Sequence, residues 1–429
     1  MSDIPTYPEI LQIEISTLCN FSCAMCLRNG RENHSKSIDI SLYRKIAKEA
    51  FPNVKKIVLY GVGEPLMHPD FLEILKITRK HLPPTGLIDF TTNGALLTPE
   101  LLTQILPYGI NRIVVSLDTS NFNRLQKMRE GASEDVLNNL KNLSTFRQSN
   151  KIQELAIESV VMRSNLYDLP DLIEFCHNLK VDSIFISHVL PYHEEMIKET
   201  LYIPQSKESW EISRQILEET WDHFSSLIQS TLYTKANKGG PEKLLAKSKA
   251  KITLARESGI DINLPAIIGN YQKLAIIEDT KRIFHEVQTL ADDYQIRLEL
   301  PFIFPDLTRR ECPYAAKKAI LINVQGELVP CYNLLHSHQI HVNDHIRDEI
   351  PFQYGSLATH SIEELYNSKK FTELKKFLRD MRKTAEWCGD CTYSSLDCFY
   401  INTNENDCLG NSPNCNECLF SVGIVKCIF

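Results

Sequence analysis

No apolar segment in this 429-residue chain reaches the length of a membrane span, and its opening, MSDIPTYPEI, lacks the charged region and following apolar run that a secretory signal requires. These two absences predict a cytosolic protein. A dominant basic block is missing too. With a formal net charge of −7, this argues against a surface built mainly for nucleic-acid phosphates and leaves a local RNA or peptide site open. The composition, 43% hydrophobic and 24% charged, is that of an ordinary globular protein with room for one large core and at least one smaller domain.

What the chain has in excess is cysteine. Thirteen are many for a compartment where thiols stay reduced, and an odd number cannot all pair within the chain, so metal ligation is the better default. Three fall within residues 19–26, Cys176 stands alone in the helical pattern Leu172–Leu179 as a buried apolar residue, and nine lie between Cys312 and Cys427. This predicts a metal site near the N-terminus and a separate cysteine-rich C-terminal domain.

Between residues 9 and 190, short β-branched runs alternate with amphipathic segments. The expected strands are Ile10–Ser16, Lys56–Tyr60, Leu87–Thr91, Arg112–Leu117, Leu155–Val161 and Ser183–Ser187, with helices around 41–51, 70–81, 99–107, 134–147 and 168–179. Six strands alternating with helices predict an α/β fold, a partial (β/α)6 TIM-like barrel with right-handed crossovers. Residues 196–305 read as a helical insertion or linker, broken at Lys238-Gly239-Gly240-Pro241, with Lys243–Lys251 as a solvated helix face. Residues 306–429 should form a small domain with a hairpin, Ala319–Val324 and Leu328–Cys331, turning at Gln325-Gly326. A helix near 361–382 leads into a tail too poor in apolar residues to build a core without metal cross-links.

Cys19, Cys23 and Cys26 follow the first strand. Three thiolates can hold three irons of a four-iron cube and leave one iron open for a substrate; short-spaced cysteines also bind zinc, so the triplet alone leaves both readings standing. Gly61-Val-Gly63-Glu64-Pro65, Thr91-Thr-Asn93-Gly94 and Ser116-Leu-Asp118 close the next three strands at the same end, where parallel barrels place active sites. Each has a plainer reading: the glycines as a turn, Asn93 as a turn residue, Asp118 as a helix cap, Arg129 as a surface ion pair.

The spacing Cys19-x3-Cys23-x2-Cys26, taken with Gly61–Pro65, resembles the radical S-adenosylmethionine superfamily over roughly residues 9–190. The resemblance implies a [4Fe–4S] cluster on the three cysteines and S-adenosyl-L-methionine on its open iron. It further implies that Gly61, Gly63, Glu64 and Pro65 receive or orient the methionine amine, and that Asn93, Ser116, Asp118 and Arg129 act as polar partners of the bound cofactor, Arg129 through its planar fork on a carboxylate. Met25 stands where that family often packs an aromatic residue near adenine, a place a thioether can also cover.

In the C-terminal part, Cys312, Gly326 and Cys331, then Cys388-x2-Cys391-x6-Cys398, Cys408, Cys415-x2-Cys418 and Cys427 resemble the auxiliary-cluster domain called SPASM. This implies one or two auxiliary [4Fe–4S] clusters. Nine thiols exceed the eight that two full clusters use. The segments Ser187–Pro191, Val329–Ser337 and Asp407–Cys427 are similar to radical maturases of tungsten-cofactor oxidoreductases. The function implied is reductive cleavage of S-adenosylmethionine to a 5′-deoxyadenosyl radical for hydrogen abstraction in cofactor or protein maturation, with a flavodoxin- or ferredoxin-like electron donor and a protein, peptide or cofactor substrate. A peptide side-chain maturase is the alternative within the class, and a noncatalytic iron–sulfur carrier or zinc-binding regulator the alternative outside it. His336, His338, His341 and His345, irregularly spaced, read as a polar loop.

Overall fold

The structure, a computed structural model, describes residues 7–28, 36–149, 152–219, 240–395 and 398–427. Its centre is a nine-stranded sheet. Thirteen strands are numbered in chain order: β1 (Ile10–Ile13), β2 (Ser22–Cys23), β3 (Lys56–Leu59), β4 (Leu87–Thr92), β5 (Arg112–Ser116), β6 (Arg129–Glu130), β7 (Glu154–Val161), β8 (Ser183–His188), β9 (Arg297–Glu299), β10 (Ala319–Ile322), β11 (Leu328–Val329), β12 (His338–Val342) and β13 (His345–Glu349). The sheet runs β11-β10-β1-β3-β4-β5-β7-β8-β9, parallel throughout except for the β10–β11 hairpin.

All six expected barrel strands form within a residue or a few of their expected ends. The expected helices appear at 40–50, 71–81, 99–105, 135–148 and 169–178. Strand β1 shows why. Leu11, Ile13 and Ile15 alternate with Gln12, Glu14 and Ser16, so one face packs under the helices, each apolar residue at most 1% exposed, while the other carries polar groups into the barrel. The barrel is partial: β9 and β11 are the two ends of the sheet and do not pair. At the N-terminal ends of the strands, Asp89 binds Lys56 Nζ at 2.6 Å and Arg112 Nε at 2.9 Å, plugging that end.

Two strands were not foreseen in their places. β9 follows the helices 240–257, 264–270 and 274–293 and extends the sheet beyond β8. β10 pairs in parallel with β1, so the cysteine-rich part is welded to the barrel's first strand. The expected turn at Gly326 is present, with φ +77°. The expected break at Lys238 and Gly239 lies outside the described residues; Lys247 and Lys251 both pair with Glu219. The histidine segment, read as a loop, is the β12–β13 hairpin.

The expected helix near 361–382 is three shorter ones, 362–366, 369–379 and 381–384. Cys176 is fully buried among apolar neighbours. Among the described residues no helix is long and apolar enough to cross a membrane.

Candidate active site and cysteine clusters

Polar residues from the C-terminal strand ends converge on one cavity of about 200 Å³. Cys19, Cys23, Cys26, Gly61, Gly63, Glu64, Asn93, Ser116 and Arg129 all line it; Pro65 and Asp118 do not. Pro65 opens the short 65–67 turn behind the glycines.

The cysteine loop is pinned by a two-residue ladder in which Cys23 of β2 sits opposite Arg129 of β6. Gly131 allows it: its φ is +99°, and a Cβ there would lie 2.7 Å from the Asn20 carbonyl. Backbone N–H groups then point at sulfur, Phe21 to Cys19 at 3.5 Å and Arg28 to Cys26 at 3.4 Å. Asn93 Nδ2 lies 3.8 Å from Cys19 Sγ and Arg129 Nη1 4.0 Å from Cys23 Sγ. Donors of this kind favour a charged thiolate ligand. Burial pushes the Cys23 thiol up to about 11 against the pull of Arg129, and raises Cys26 as well. Iron would therefore displace protons on binding. Three thiols around a cavity, with N–H donors aimed at them, suit a cluster with one open iron. Among the described residues no three His, Cys, Asp or Glu side chains stand close enough together to hold a single metal ion as they are placed.

The glycine turn is shaped by close approach. A Cβ on Gly63 would fall 2.4 Å from the Ser16 carbonyl oxygen and one on Gly61 2.3 Å from Glu14 Cγ. Glu64 is 2% exposed and clamps the turn to the end of β4, accepting from Thr92 Oγ1 at 2.8 Å, Asn93 N at 2.7 Å and Leu66 N at 3.0 Å. Burial outweighs these donors and lifts its carboxyl to about 7.

Asp118 is neither a cap nor on the cavity. The helix 122–128 is capped by Asn121, and Asp118 takes Arg129 Nε at 2.7 Å and Nη2 at 3.1 Å together with the Val160 N–H at 2.8 Å. This fork holds Arg129 with its Nη1 toward Cys23 Sγ. Met25 lines the cavity and packs with Met128, Met162 and Met196, a cluster of pliable thioethers.

Several site residues escaped the sequence reading. Glu14, fully buried, accepts from Val62 N at 3.0 Å and bonds His336 Nε2 at 2.9 Å. Gln12 bridges the Tyr60 carbonyl at 3.1 Å and the Tyr314 hydroxyl at 2.7 Å. Their signal was the polar alternation within an apolar strand, Gln12-Ile13-Glu14-Ile15-Ser16. Glu158, on β7, also faces the cavity, and burial lifts it to about 7 despite Arg129 nearby. His188, of the Ser187–Pro191 segment, lines the cavity as well; burial lowers it to about 3, so its ring is neutral there at neutral pH.

The nine C-terminal cysteines divide by position. Cys312, Cys331, Cys415, Cys418 and Cys427 line one small buried cavity. Cys388, Cys391, Cys398 and Cys408 form a second group whose charges act on one another, ending at the exposed Cys408. Tyr314, Tyr332, Phe420 and Cys427 line both the five-cysteine cavity and the first cavity, so the two share a wall. In it Tyr332 stacks on Tyr60, with ring centres 5.5 Å apart. The other tempting histidines serve as polar anchors: His338 bonds the His336 carbonyl at 2.8 Å and His345 reaches Glu417 at 3.2 Å.

Comparison with known proteins agrees with this layout. Residues 13–176 match the family model of the radical SAM superfamily, and residues 312–392 match SPASM, an iron–sulfur cluster-binding domain. The chain is therefore a radical SAM enzyme carrying a SPASM domain, a class that uses [4Fe–4S] clusters and S-adenosylmethionine.

Over 427 residues, 98% of this chain and 97% of the other, it is 24% identical to the tungsten-containing aldehyde ferredoxin oxidoreductase cofactor-modifying protein of Pyrococcus furiosus. A probable GTP 3′,8-cyclase of Methanocaldococcus jannaschii is 31% identical over 191 residues, 43% of this chain and 60% of that one. In fold, the chain is similar to Streptococcus suis SuiB bound to S-adenosylmethionine (TM-score 0.52, 15% identity, 87% of this chain and 68% of that one) and to anSMEcpe with bound AdoMet (TM-score 0.51, 14% identity, 96% of each).

Proposed function

We propose that this enzyme matures a cofactor or protein of a tungsten-containing oxidoreductase by abstracting a hydrogen atom from a substrate held in the cavity beside Cys19, Cys23 and Cys26. The observation that carries the reading is the convergence of those three thiols, the Gly61–Glu64 turn and the clamped Arg129 on one cavity. Near-full-length likeness to a cofactor-modifying protein supports the substrate class. When bound, the cluster and S-adenosylmethionine supply the 5′-deoxyadenosyl radical.

The protein's own groups do the rest. Gly61 and Gly63 permit backbone approach to the methionine amine, Glu64 fixes their turn, and Arg129 and Ser116 offer donors to the carboxylate end. The aromatic wall of Tyr60, Tyr314 and Tyr332 excludes water from the space between the two metal sites. A flavodoxin- or ferredoxin-like protein in the cytoplasm is the electron source in this reading.

Anaerobic iron-loaded protein, reduced in the presence of S-adenosylmethionine, should release 5′-deoxyadenosine, and Cys23→Ala should abolish this while the C-terminal clusters persist. With three four-iron clusters, the wild type holds about twelve irons and the variant about eight. Zinc alone in the anaerobic protein, or full activity in the variant, would sink the assignment. Label from deuterated substrate arriving in deoxyadenosine from a short peptide, and not from oxidoreductase cofactor, would move the substrate to the peptide class.

A further inference from the structure

A further cavity, of about 390 Å³, is larger than the first and shares no lining residue with it. Each part of the chain supplies one wall: the segment 191–204 after β8, the helix 264–270 with the turn 271–273 that follows it, and the tip of the β12–β13 hairpin. The walls are in direct contact. His341 N donates to the Pro191 carbonyl at 2.9 Å, and a Cβ on Gly269 would lie 2.9 Å from Asp344 Oδ2, so the hairpin tip rests on the helix through a residue that has no side chain to obstruct it. The tip itself is a two-residue turn, Asn343-Asp344, with φ +50° and +64°, which these two residue types tolerate. Tyr202, of the first wall, packs on His188 of the first cavity with ring centres 5.4 Å apart, so the two cavities lie back to back.

The titratable groups facing this space are Lys273, Asp344, Glu194, His341 and His345. His345 is taken up by Glu417 at 3.2 Å, and burial lowers His341, which keeps its ring neutral at neutral pH. Lys273 stands four residues, about one turn, beyond Gly269 and therefore near Asp344, yet the two form no direct ion pair. The Lys273 ammonium donates to Thr200 Oγ1 at 2.8 Å, and its remaining N–H groups have no protein acceptor among the described residues. Asn343 is 4% exposed; its Nδ2 is spent on Glu417, while its Oδ1 has no donor. An acceptor left in that state is costly.

These groups restrict the ligand. A simple anion would face Asp344 and Glu194, and a simple cation would face Lys273. A group carrying both charges satisfies both ends, because hydrogen bonds between ionised partners are the strong ones. The rest of the lining is apolar. Pro191, Tyr202, Pro204 and Val342 are buried, whereas Ile197 and Ile346, 39% and 52% exposed, stand toward the open side. Few convergent polar groups in a largely apolar space of this size are the usual make-up of a small-molecule site.

We propose that this cavity binds a free α-amino acid with an apolar side chain, its carboxylate on Lys273 and its ammonium on Asp344 beside the unpartnered Asn343 oxygen. The site shares no lining residue with the first cavity, so this inference and the radical chemistry can fail separately.

The test is calorimetric titration of the oxidised, iron-loaded full chain saturated with S-adenosylmethionine, which keeps an added amino acid from chelating the open iron. L-leucine, L-valine and L-phenylalanine are compared. The tightest should bind one to one with a Kd of about 1 mM or below. Its N-acetyl derivative, without the ammonium, and its amide, without the carboxylate, should each bind at least tenfold more weakly. Lys273→Gln and Asp344→Asn should each weaken the free amino acid at least tenfold and leave the affinity for S-adenosylmethionine unchanged. Asparagine suits the left-handed turn, so Asp344→Asn keeps the comparison open even if Lys273→Gln, which also loses the Thr200 bond, fails to fold. In Asp344→Asn the gap between the amino acid and its N-acetyl derivative should narrow, which a merely loosened fold would not produce. Absence of saturable binding by all three amino acids, an N-acetyl derivative that binds as tightly as the free form, or wild-type affinity in Asp344→Asn would overturn the proposal.

Discussion

Arg129 shows how one residue position organises the site. Its backbone pairs with Cys23, its Nε and Nη2 are taken by Asp118, and Nη1 is left facing sulfur. Glycines set the opposite wall. A methyl group at Gly63 would meet backbone oxygens of Ser16 and Leu18 at 2.4 and 2.6 Å, and neither can swing aside as a side chain could. Gly63→Ala should therefore push the turn out of the cavity and weaken S-adenosylmethionine binding at least tenfold while iron content holds. Equilibrium dialysis against the iron-loaded protein reads this, and unchanged affinity would refute a backbone role for that turn.

Glu64 adds a pH dependence. Its folded pKa of about 7 lies above the unfolded value of 4.5, so the folded state binds the extra proton. The resulting stabilisation is complete below about pH 4.5 and is lost as the pH rises through 7, up to about 3 kcal/mol for a shift of this size. Glu64→Gln should flatten that fall. Urea unfolding of the iron-free protein at pH 5 and 7.5 measures it, and identical slopes for the two proteins would contradict the burial argument.

At the level of elements, the cysteine-rich part is attached to the barrel by more than a linker. Strand β10 completes the hydrogen bonds of β1, and His336 reaches across to Glu14, which also holds the glycine turn through Val62. Removing the imidazole leaves a fully buried carboxylate with fewer donors, a loss of about 1–3 kcal/mol. His336→Ala should thus lower stability and weaken cofactor binding together, although it lies in neither the triplet nor the glycine turn. A thermal melt paired with a binding titration tests the coupling, and loss of stability with untouched affinity would break it.

The sequence made the six barrel strands legible because their periodicity is local. The triplet and glycine turn were legible because cysteine and glycine are costly to keep without a reason. Asp118 was not, since an aspartate after a strand caps helices as readily as it clamps an arginine eleven residues on. The β10–β1 pairing and the His336–Glu14 bond depend on contacts across some three hundred residues, and the split of nine cysteines into five and four on contacts across up to 115, which no local pattern encodes.

Over the whole molecule, stability is divided between a large apolar core and a tail that has almost none. The main core runs through the barrel strands and their helices, whereas residues 386–427 contribute two short 3-10 turns and a small cluster of Trp387, Leu419, Val422, Ile424 and Val425 against Leu190 and Tyr202. That cluster is too small to offset the entropy of ordering some forty residues at about 1–2 kcal/mol each. Metal ligation must supply the difference. Chelating iron anaerobically should therefore raise amide hydrogen exchange across 386–427 and around Cys312 and Cys331 by orders of magnitude. Amides of β3, β4, β5 and β7, whose ladders need no metal, should stay protected. The two cysteine groups give the experiment internal resolution: Cys388→Ala should loosen 388–408 while 415–427, held by the other group, keeps its protection. A tail that stays protected after complete iron removal would mean that its turns and side-chain bonds, Arg347 to Glu417 and Asn414 above all, suffice to fold it without metal.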